Sequence, residues 1–292
     1  MKILVFGSGG QLGHCLFDEF SESKYEVIFC YRTDLDIVDF VGTKTLITEV
    51  SPNVVINAAA YTQVVRAERD QELADKVNHL AVANIAKACE SIDALLVHIS
   101  TDYVFDGKAL SPYRENDTPN PLSAYGTSKL LGERAISSSG CRYITIRSSW
   151  LFSEHGENFM KRILHNATSQ QTLRVVSSET GCPTYAPDLA RAIVLCLENL
   201  KHCHSRTGLY HFCGKETSTW YDFAALIFEA ASDYYSGQFD NISLLQQPEK
   251  TVQVVRPKYS ALNCQKFVEH FGGVPSDWKA GIIKTLDRLQ NC

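Results

Sequence analysis

Ile3-Leu4-Val5-Phe6-Gly7-Ser8-Gly9-Gly10-Gln11-Leu12-Gly13 decides the fold. Four apolar residues end in glycine, and Gln11 to Phe20 carries helical periodicity, so the segment predicts strand, tight turn and helix. Gly7, Gly10 and Gly13 recur at intervals of three. Glycines permit the tight turn and let backbone N–H groups approach a pyrophosphate, and the helix N-terminus behind them adds a favourable field for an anion. A strand in front and a helix behind is the context that a dinucleotide-binding turn requires. The same glycines also suit a strand-to-helix turn that holds no ligand.

Working outward, strand and helix alternate. Glu26 to Tyr31, Val54 to Asn57, Leu95 to Ile99 and Tyr143 to Arg147 read as strands, the second helped by its β-branched residues. Glu72 to Glu90 and Ala124 to Ile136 read as helices, with Leu73, Val77, Leu80, Ile85 and Ala88 expected as the buried face of the former. Near-continuous apolar strands separated by helices predict a parallel sheet covered on both faces, an α/β fold of the doubly wound Rossmann type. In the second half Glu154 to Ala167, Asp188 to Leu200 and Trp220 to Ala231 read as helices, while Ser232 to Pro248 is polar and turn-rich. The expected division is a nucleotide-binding domain over residues 1–150 and a smaller, mainly substrate-binding α/β domain over 151–292. Strands near 173–210 have the option of returning to the first sheet.

Composition narrows the function. A hydrophobic share of 45% and a charged share of 21% are those of a soluble globular chain. A net charge of -5 leaves no basic footprint, which argues against nucleic acid as a partner. The apolar run after Met1 is too short for a signal peptide, and no run reaches the length of a membrane helix. The ten cysteines contain no Cys-x-x-Cys pair and read as free thiols in a reducing cytoplasm. Lys201-His202-Cys203-His204 has metal-binding residue types but no second cluster at zinc spacing, so a solvated loop and no metal site are expected.

Chemistry enters at Tyr125-Gly126-Thr127-Ser128-Lys129. A Tyr and a Lys four residues apart share one helix face. An ammonium beside a phenol favours the phenolate, so Lys129 is expected to lower the Tyr125 pKa from about 10 toward the working pH. Such a tyrosine can give or take a proton at a carbonyl or alcohol oxygen. Ser100-Thr101-Asp102-Tyr103 ends the strand that starts at Leu95, and ligands of such sheets bind outside the carboxyl ends of strands. A hydroxyl there either steers a substrate oxygen or merely ends the strand. Ala58-Ala59-Ala60, after another strand, either lets a cofactor lie flat or serves close packing. Arg32 follows the second strand with no acid directly at its end, which tilts toward a 2′-phosphate and NADPH over NADH; Asp36 and Ile37 are placed to reach the adenine edge.

Together these segments resemble the extended short-chain dehydrogenase/reductase superfamily over nearly the whole chain. Within it they are similar to the dTDP-4-dehydrorhamnose reductase family. The matching stretches are Gly-Gly-Gln-Leu-Gly at 9–13, Val-Val-Ile-Asn-Ala-Ala-Ala-Tyr-Thr at 54–62, Ser-Thr-Asp-Tyr-Val-Phe-Asp-Gly at 100–107 and Pro119 to Glu133. Arg147-Ser148-Ser149-Trp150, His155-Gly156-Glu157-Asn158-Phe159, Gly181-Cys182-Pro183-Thr184-Tyr185 and Arg256-Pro257 complete the set.

The resemblance implies a Thr101, Tyr125, Lys129 catalytic triad. It also implies cofactor contacts from Gly7, Gly10, Gln11, Leu12, Gly13, Arg32, Asp36, Ile37, Ala58, Ala59, Ala60, Tyr125 and Lys129. Asp102, Tyr103 and Trp150 match positions lining the family's sugar pocket. The implied reaction is NAD(P)H-dependent reduction of a nucleotide-linked 4-keto-6-deoxyhexose by a cytoplasmic enzyme, possible as a homodimer. A redox-neutral epimerase or dehydratase and a non-catalytic NADP-binding regulatory subunit are the alternatives on the same scaffold. Two positions depart from the pattern. Val65 in Val64-Val65-Arg66-Ala67-Glu68 stands where an acid is usual, and Cys15 stands where some members carry a metal-binding glutamate, so that metal site and its dimer are not carried over.

Overall fold

The computed structural model describes residues 1–200, 206–235, 239, 242–247 and 254–291. The first half runs β1 (Lys2–Phe6), α1 (Gln11–Ser21), β2 (Glu26–Cys30), α2 (Phe40–Val50), β3 (Val54–Asn57), α3 (Val64–Ala67), α4 (Gln71–Asp75), a π-helical turn (Lys76–Leu80), α5 (Ala81–Ser91), β4 (Leu95–Thr101), α6 (Ala124–Ser137) and β5 (Tyr143–Ser148). There follow β6 (Leu151–Phe152), α7 (Phe159–Ala167), β7 (Thr172–Val176), β8 (Thr180–Gly181), β9 (Thr184–Tyr185), α8 (Ala186–Leu200), β10 (Gly208–His211), β11 (Ser218–Thr219), α9 (Trp220–Tyr234), β12 (Ser243–Gln247), α10 (Gln265–Phe271) and α11 (Trp278–Gln290).

The central sheet has the order β2-β1-β3-β4-β5-β10, and every neighbouring pair is parallel. Its strands read as continuous apolar runs because both faces are covered: all four residues of β3 are buried. On one face Leu12, Leu16 and Phe20 of α1 pack with Leu189, Ile193 and Leu197 of α8 over Ile3, Val5 and Ile56. On the other, Ile47 of α2 and Ile85 and Cys89 of α5 cover Leu4, Phe6 and Val55. The strand order reverses between β1 and β3, so a crevice opens at their carboxyl ends, where Gly7 and Ala58 lie.

The long helical stretch over 71–91 corrects one expectation. Leu73 and Leu80 are exposed, and Ala74, Asn78, Val82, Ile85 and Cys89 face inward. The π-turn inserts an extra residue and rotates the helix face midway, which a uniform period cannot anticipate. A polar residue holds the turn inside. Asn78 accepts from Tyr61 N (2.9 Å) and donates to Tyr61 O and Ser128 Oγ, both at 3.0 Å, so its buried amide is satisfied.

A second core joins Phe152, Met160, Leu173, Val175, Phe223, Ile227, Trp278, Ile282 and Leu286. Helix α7 starts at Phe159 rather than near Glu154: Asn158 caps it by accepting from Lys161 N, and Gly156 at φ +62° lies in the loop before it. Within the turn-rich stretch after Ser232, Ser243–Gln247 is a strand, paired in parallel with β7 along its length. None of its five side chains is fully buried, which is why its pattern is not apolar, and β7 supplies the ladder. Strand β10 pairs with β5 and so extends the first sheet, whereas β7 does not. The rest of the turn-rich stretch (236–238, 240–241 and 248), the Lys201-His202-Cys203-His204 segment and Cys292 lie outside the described residues. The other eight cysteines are buried free thiols. Among the described residues no helix is long and apolar enough to cross a membrane.

Candidate active site

The glycine turn is built around a close backbone approach. Gly7 has φ +82°, and a Cβ there would come within 2.6 Å of the Ala58 carbonyl carbon and closer still to Ala59 N. Gly10 N donates to Gly7 O (3.0 Å), and Gly10 caps α1 with its backbone alone. A Cβ on Gly13 would overlap the Gly7 carbonyl oxygen. The alanines after β3 therefore serve close packing against Gly7, whatever else they hold. Gln11 accepts from Asn158 Nδ2 (2.9 Å), tying the turn to the loop before α7; the Leu12 side chain is buried in the core.

Gly13→Ala is expected to cost about 1–3 kcal/mol by overpacking and to shift the turn itself. A urea titration and a dinucleotide-binding titration measure the two effects. Wild-type values in both would show that the turn yields.

At the end of β2, Arg32 is largely exposed and pairs with Asp36 (Nε to Oδ2, 2.9 Å), while Ile37 is buried beside Cys30 and Ile47. Arg32 and Asp36 follow the carboxyl end of β2.

Thr101 ends β4. Its hydroxyl accepts from Tyr103 N (3.2 Å), donates to Asp102 Oδ1 (3.1 Å) and contacts the Tyr125 phenol. Helix α6 brings Tyr125 there through three devices. Ser123 caps the helix by accepting from Gly126 N (3.1 Å), and Glu68 of the α3–α4 link accepts from Ala124 N (2.8 Å). A Cβ on Gly126 would overlap the Tyr103 carbonyl oxygen, so glycine lets the helix press against the 102–104 turn. Tyr125 packs on Ala67 and Ala74, with the Tyr103 ring edge-on at 5.7 Å.

The electrostatics depart from the sequence expectation. Lys129 does not pull the Tyr125 pKa down: burial pushes the phenol up to about 12, with only the Thr101 hydrogen bond opposing it. The physical reason is direction. Lys129 Nζ donates to Ile99 O (2.6 Å) and lies 3.3 Å from His98 Nε2. Burial lowers Lys129 itself to about 8, against the attraction of Glu133. Asp102 is wholly buried, and burial raises its carboxyl to about 7, against the hydrogen bonds of Ser260 and Thr101.

Trp150 follows β5 at φ +47°, an uncommon conformation for a bulky residue. Its ring stacks on Trp220 at 3.5 Å and 7°, against Gly181. Trp220 Nε1 donates to Glu179 (3.0 Å), which pairs with Arg256 at 3.9 Å, and the Arg256 charge acts on Tyr103. This chain of contacts runs from Trp150 through Trp220 and Glu179 to Arg256, whose charge reaches Tyr103. Sequence reasoning missed Trp220 and Glu179, which no local pattern marks. It also missed His98, whose signal was available as a histidine inside an apolar strand. Val65 is partly exposed on α3.

The reversed strand order, the glycine turn at the reversal and a hydroxyl–phenol pair at the end of β4, with Lys129 one helical turn beyond the phenol, are the frame of a short-chain dehydrogenase/reductase. Comparison with known proteins narrows this. Residues 1–291 match the family described as RmlD substrate binding domain, and the chain belongs to that family. It is 36% identical over 284 residues to dTDP-4-dehydrorhamnose reductase of Aggregatibacter actinomycetemcomitans, covering 96% of this chain and 97% of that one. Among solved structures, a dTDP-4-dehydrorhamnose reductase from Clostridium acetobutylicum superposes with a TM-score of 0.89 at 36% identity, covering 99% of this chain and 100% of that chain. The Bacillus anthracis dTDP-4-dehydrorhamnose reductase, solved in complex with NADP, superposes with a TM-score of 0.87 at 30% identity, covering 98% and 99%.

Proposed function

We propose that the protein reduces the C4 keto group of a nucleotide-linked 4-keto-6-deoxyhexose with NADPH or NADH, converting dTDP-4-dehydro-L-rhamnose to dTDP-L-rhamnose. The observation that carries this reading is the Tyr125 phenol in contact with the Thr101 hydroxyl at the end of β4, beside the buried Asp102 carboxyl. The named relatives support the substrate.

The glycine cradle fits a dinucleotide, since side chains at Gly7 and Gly13 would fill it. Gly7, Gly10, Gln11, Leu12 and Gly13 would hold the pyrophosphate, and Arg32, Asp36 and Ile37 the adenosine end. Ala58, Ala59 and Ala60 would face the middle of the cofactor, with Tyr125 and Lys129 at the nicotinamide ribose. Once bound, the cofactor supplies the hydride. Tyr125 then gives its proton to the C4 oxygen, Thr101 holds that oxygen by a hydrogen bond, and Asp102, Tyr103 and Trp150 orient the sugar. Residues 1–150 serve mainly the cofactor and 151–292 mainly the substrate.

The test follows the nicotinamide absorbance as dTDP-4-dehydro-6-deoxyhexose is added with NADPH, then with NADH. Substrate-dependent loss of reduced cofactor is expected. No consumption by a folded, cofactor-binding protein would favour a redox-neutral epimerase or a regulatory subunit.

Asp102 supplies a pH signature. Its carboxyl rises from 3.8 to about 7 on folding, so the native state holds a proton that the unfolded chain has lost. The linked stability is complete below the lower value and disappears as pH rises through the upper one. Asp102→Asn, which stays neutral, is expected to gain on wild type between about pH 4 and 7, by about 1.4 kcal/mol for each pH unit crossed. Urea midpoints at several pH values measure this. A constant difference would mean that Asp102 is ionised in the native state.

A further inference from the structure

His98 lies in the middle of β4, fully buried, and the proposed reaction makes no use of it. Its surroundings nevertheless fix its proton. Asn57 Oδ1 accepts from Ala59 N (3.2 Å), which sets the orientation of the amide. The Asn57 amide nitrogen then donates to His98 Nδ1, 3.2 Å away. Burial and the neighbouring ammonium keep the imidazole neutral. A neutral imidazole carries one N–H, and with Nδ1 accepting, that proton sits on Nε2.

Nε2 is the atom that faces Lys129 Nζ at 3.3 Å. An ammonium has no lone pair and cannot accept from it. The contact becomes a hydrogen bond only when Lys129 is an amine, with Nε2–H donating to it. On its other side Nζ donates to Ile99 O in either state. Of the charged groups around α6, Glu133 of the same helix is held by Arg147 of β5 and Ser100 of β4, and its charge still favours the ammonium of Lys129. Asp102 and Tyr103 lie against Thr101 and Tyr125. Glu68 caps Ala124, and Asp75 pairs with His79.

We propose that His98 is a positioning residue acting through Lys129: held by Asn57 as the Nε2–H tautomer, it stabilises the amine form of the lysine and anchors it beside the Ile99 carbonyl. The proposal rests on the reading of Lys129 as part of the reductase site. A lysine with a hydrogen-bonded amine form releases and regains a proton near neutral pH. That is what a site needs if Tyr125 is to recover the proton it gives up in each turnover.

The experiment uses the whole chain labelled with 15N-histidine and 13Cε-lysine. In the wild-type protein alone, His98 should show the Nε2–H tautomer without titrating between pH 6 and 9, and Lys129 should titrate near pH 8. His98→Gln places an amide at the position of Nε2, and its oxygen can turn to accept from the ammonium. The Lys129 midpoint should then rise by about one pH unit, a tenfold change. The basic limb of the kcat/KM profile should rise with it while the KM for the nucleotide sugar holds. An Nδ1–H tautomer in the wild type overturns the proposal. So does an unmoved lysine midpoint in a folded variant, or a uniform loss of kcat with an unchanged pH profile. The tautomer is read on the wild type, so it decides even if the variant fails to fold. Failure of the reductase reading is distinguishable, because it appears as absent turnover while the resonances behave as expected.

Discussion

Tyr125→Phe retains the fold and binds NADPH, and its turnover falls by about 10²-fold or more, the scale of one lost general acid. The expectation follows from where the phenol sits. At a pKa of about 12 it is protonated throughout the neutral range, so it acts as a donor and not as a phenolate base. Phenylalanine keeps the packing on Ala67 and Ala74 and the edge contact with Tyr103. It loses only the hydroxyl and its Thr101 contact, a cost of about 1 kcal/mol in stability. Fluorescence titration of the cofactor and single-turnover oxidation separate binding from chemistry. Wild-type turnover in this variant would remove Tyr125 from the mechanism.

Glu133→Leu is the substitution expected to cost most in stability. Arg147 and Glu133 are both buried, and they meet through two hydrogen bonds, Nε to Oε1 at 2.9 Å and Nη2 to Oε2 at 2.6 Å. Ser100 of β4 donates to the same carboxylate, and the guanidinium lies over the Phe105 ring at 5.0 Å. Removing the carboxylate leaves Arg147 charged and buried, a loss of about 3–5 kcal/mol. His211 cannot take over: burial and the Arg147 charge depress it to about 3, and an imidazole, neutral or protonated, brings no negative charge to the guanidinium. The double variant Glu133→Leu, Arg147→Met removes both charges and should recover most of the loss. Denaturant unfolding of wild type, single and double variants forms the cycle. A single-variant cost under about 1 kcal/mol would mean that water reaches the pair despite its burial.

This pair shows where sequence reading reaches and where it stops. Arg147 ends a strand that was legible from the alternation of apolar strands and helices, and Glu133 lies on the helix before it. Neither pattern says that the two meet, because they belong to different elements and only packing brings them together. The same holds along 71–91, where the period gave a helix but the buried Asn78 and the π-turn set its face. A polar residue takes an inward place when every one of its groups finds a partner, and the partners Tyr61 and Ser128 are remote in sequence.

The sequence by itself determined the parallel sheet, the glycine turn at its switch point and the placing of Thr101, Tyr125 and Lys129 on one strand end and one helix. These follow from local rules: continuous apolar strands, glycine where a Cβ would meet backbone, and the repeat of a helix. Only the tertiary structure decided that Lys129 faces Ile99 and His98 instead of lowering the Tyr125 pKa, that Trp150 stacks on Trp220, and that β10 returns to the first sheet while β12 pairs with β7. The reason is physical: periodicity records which side of an element is buried, whereas a buried charge or ring is governed by the particular atoms that distant segments bring against it.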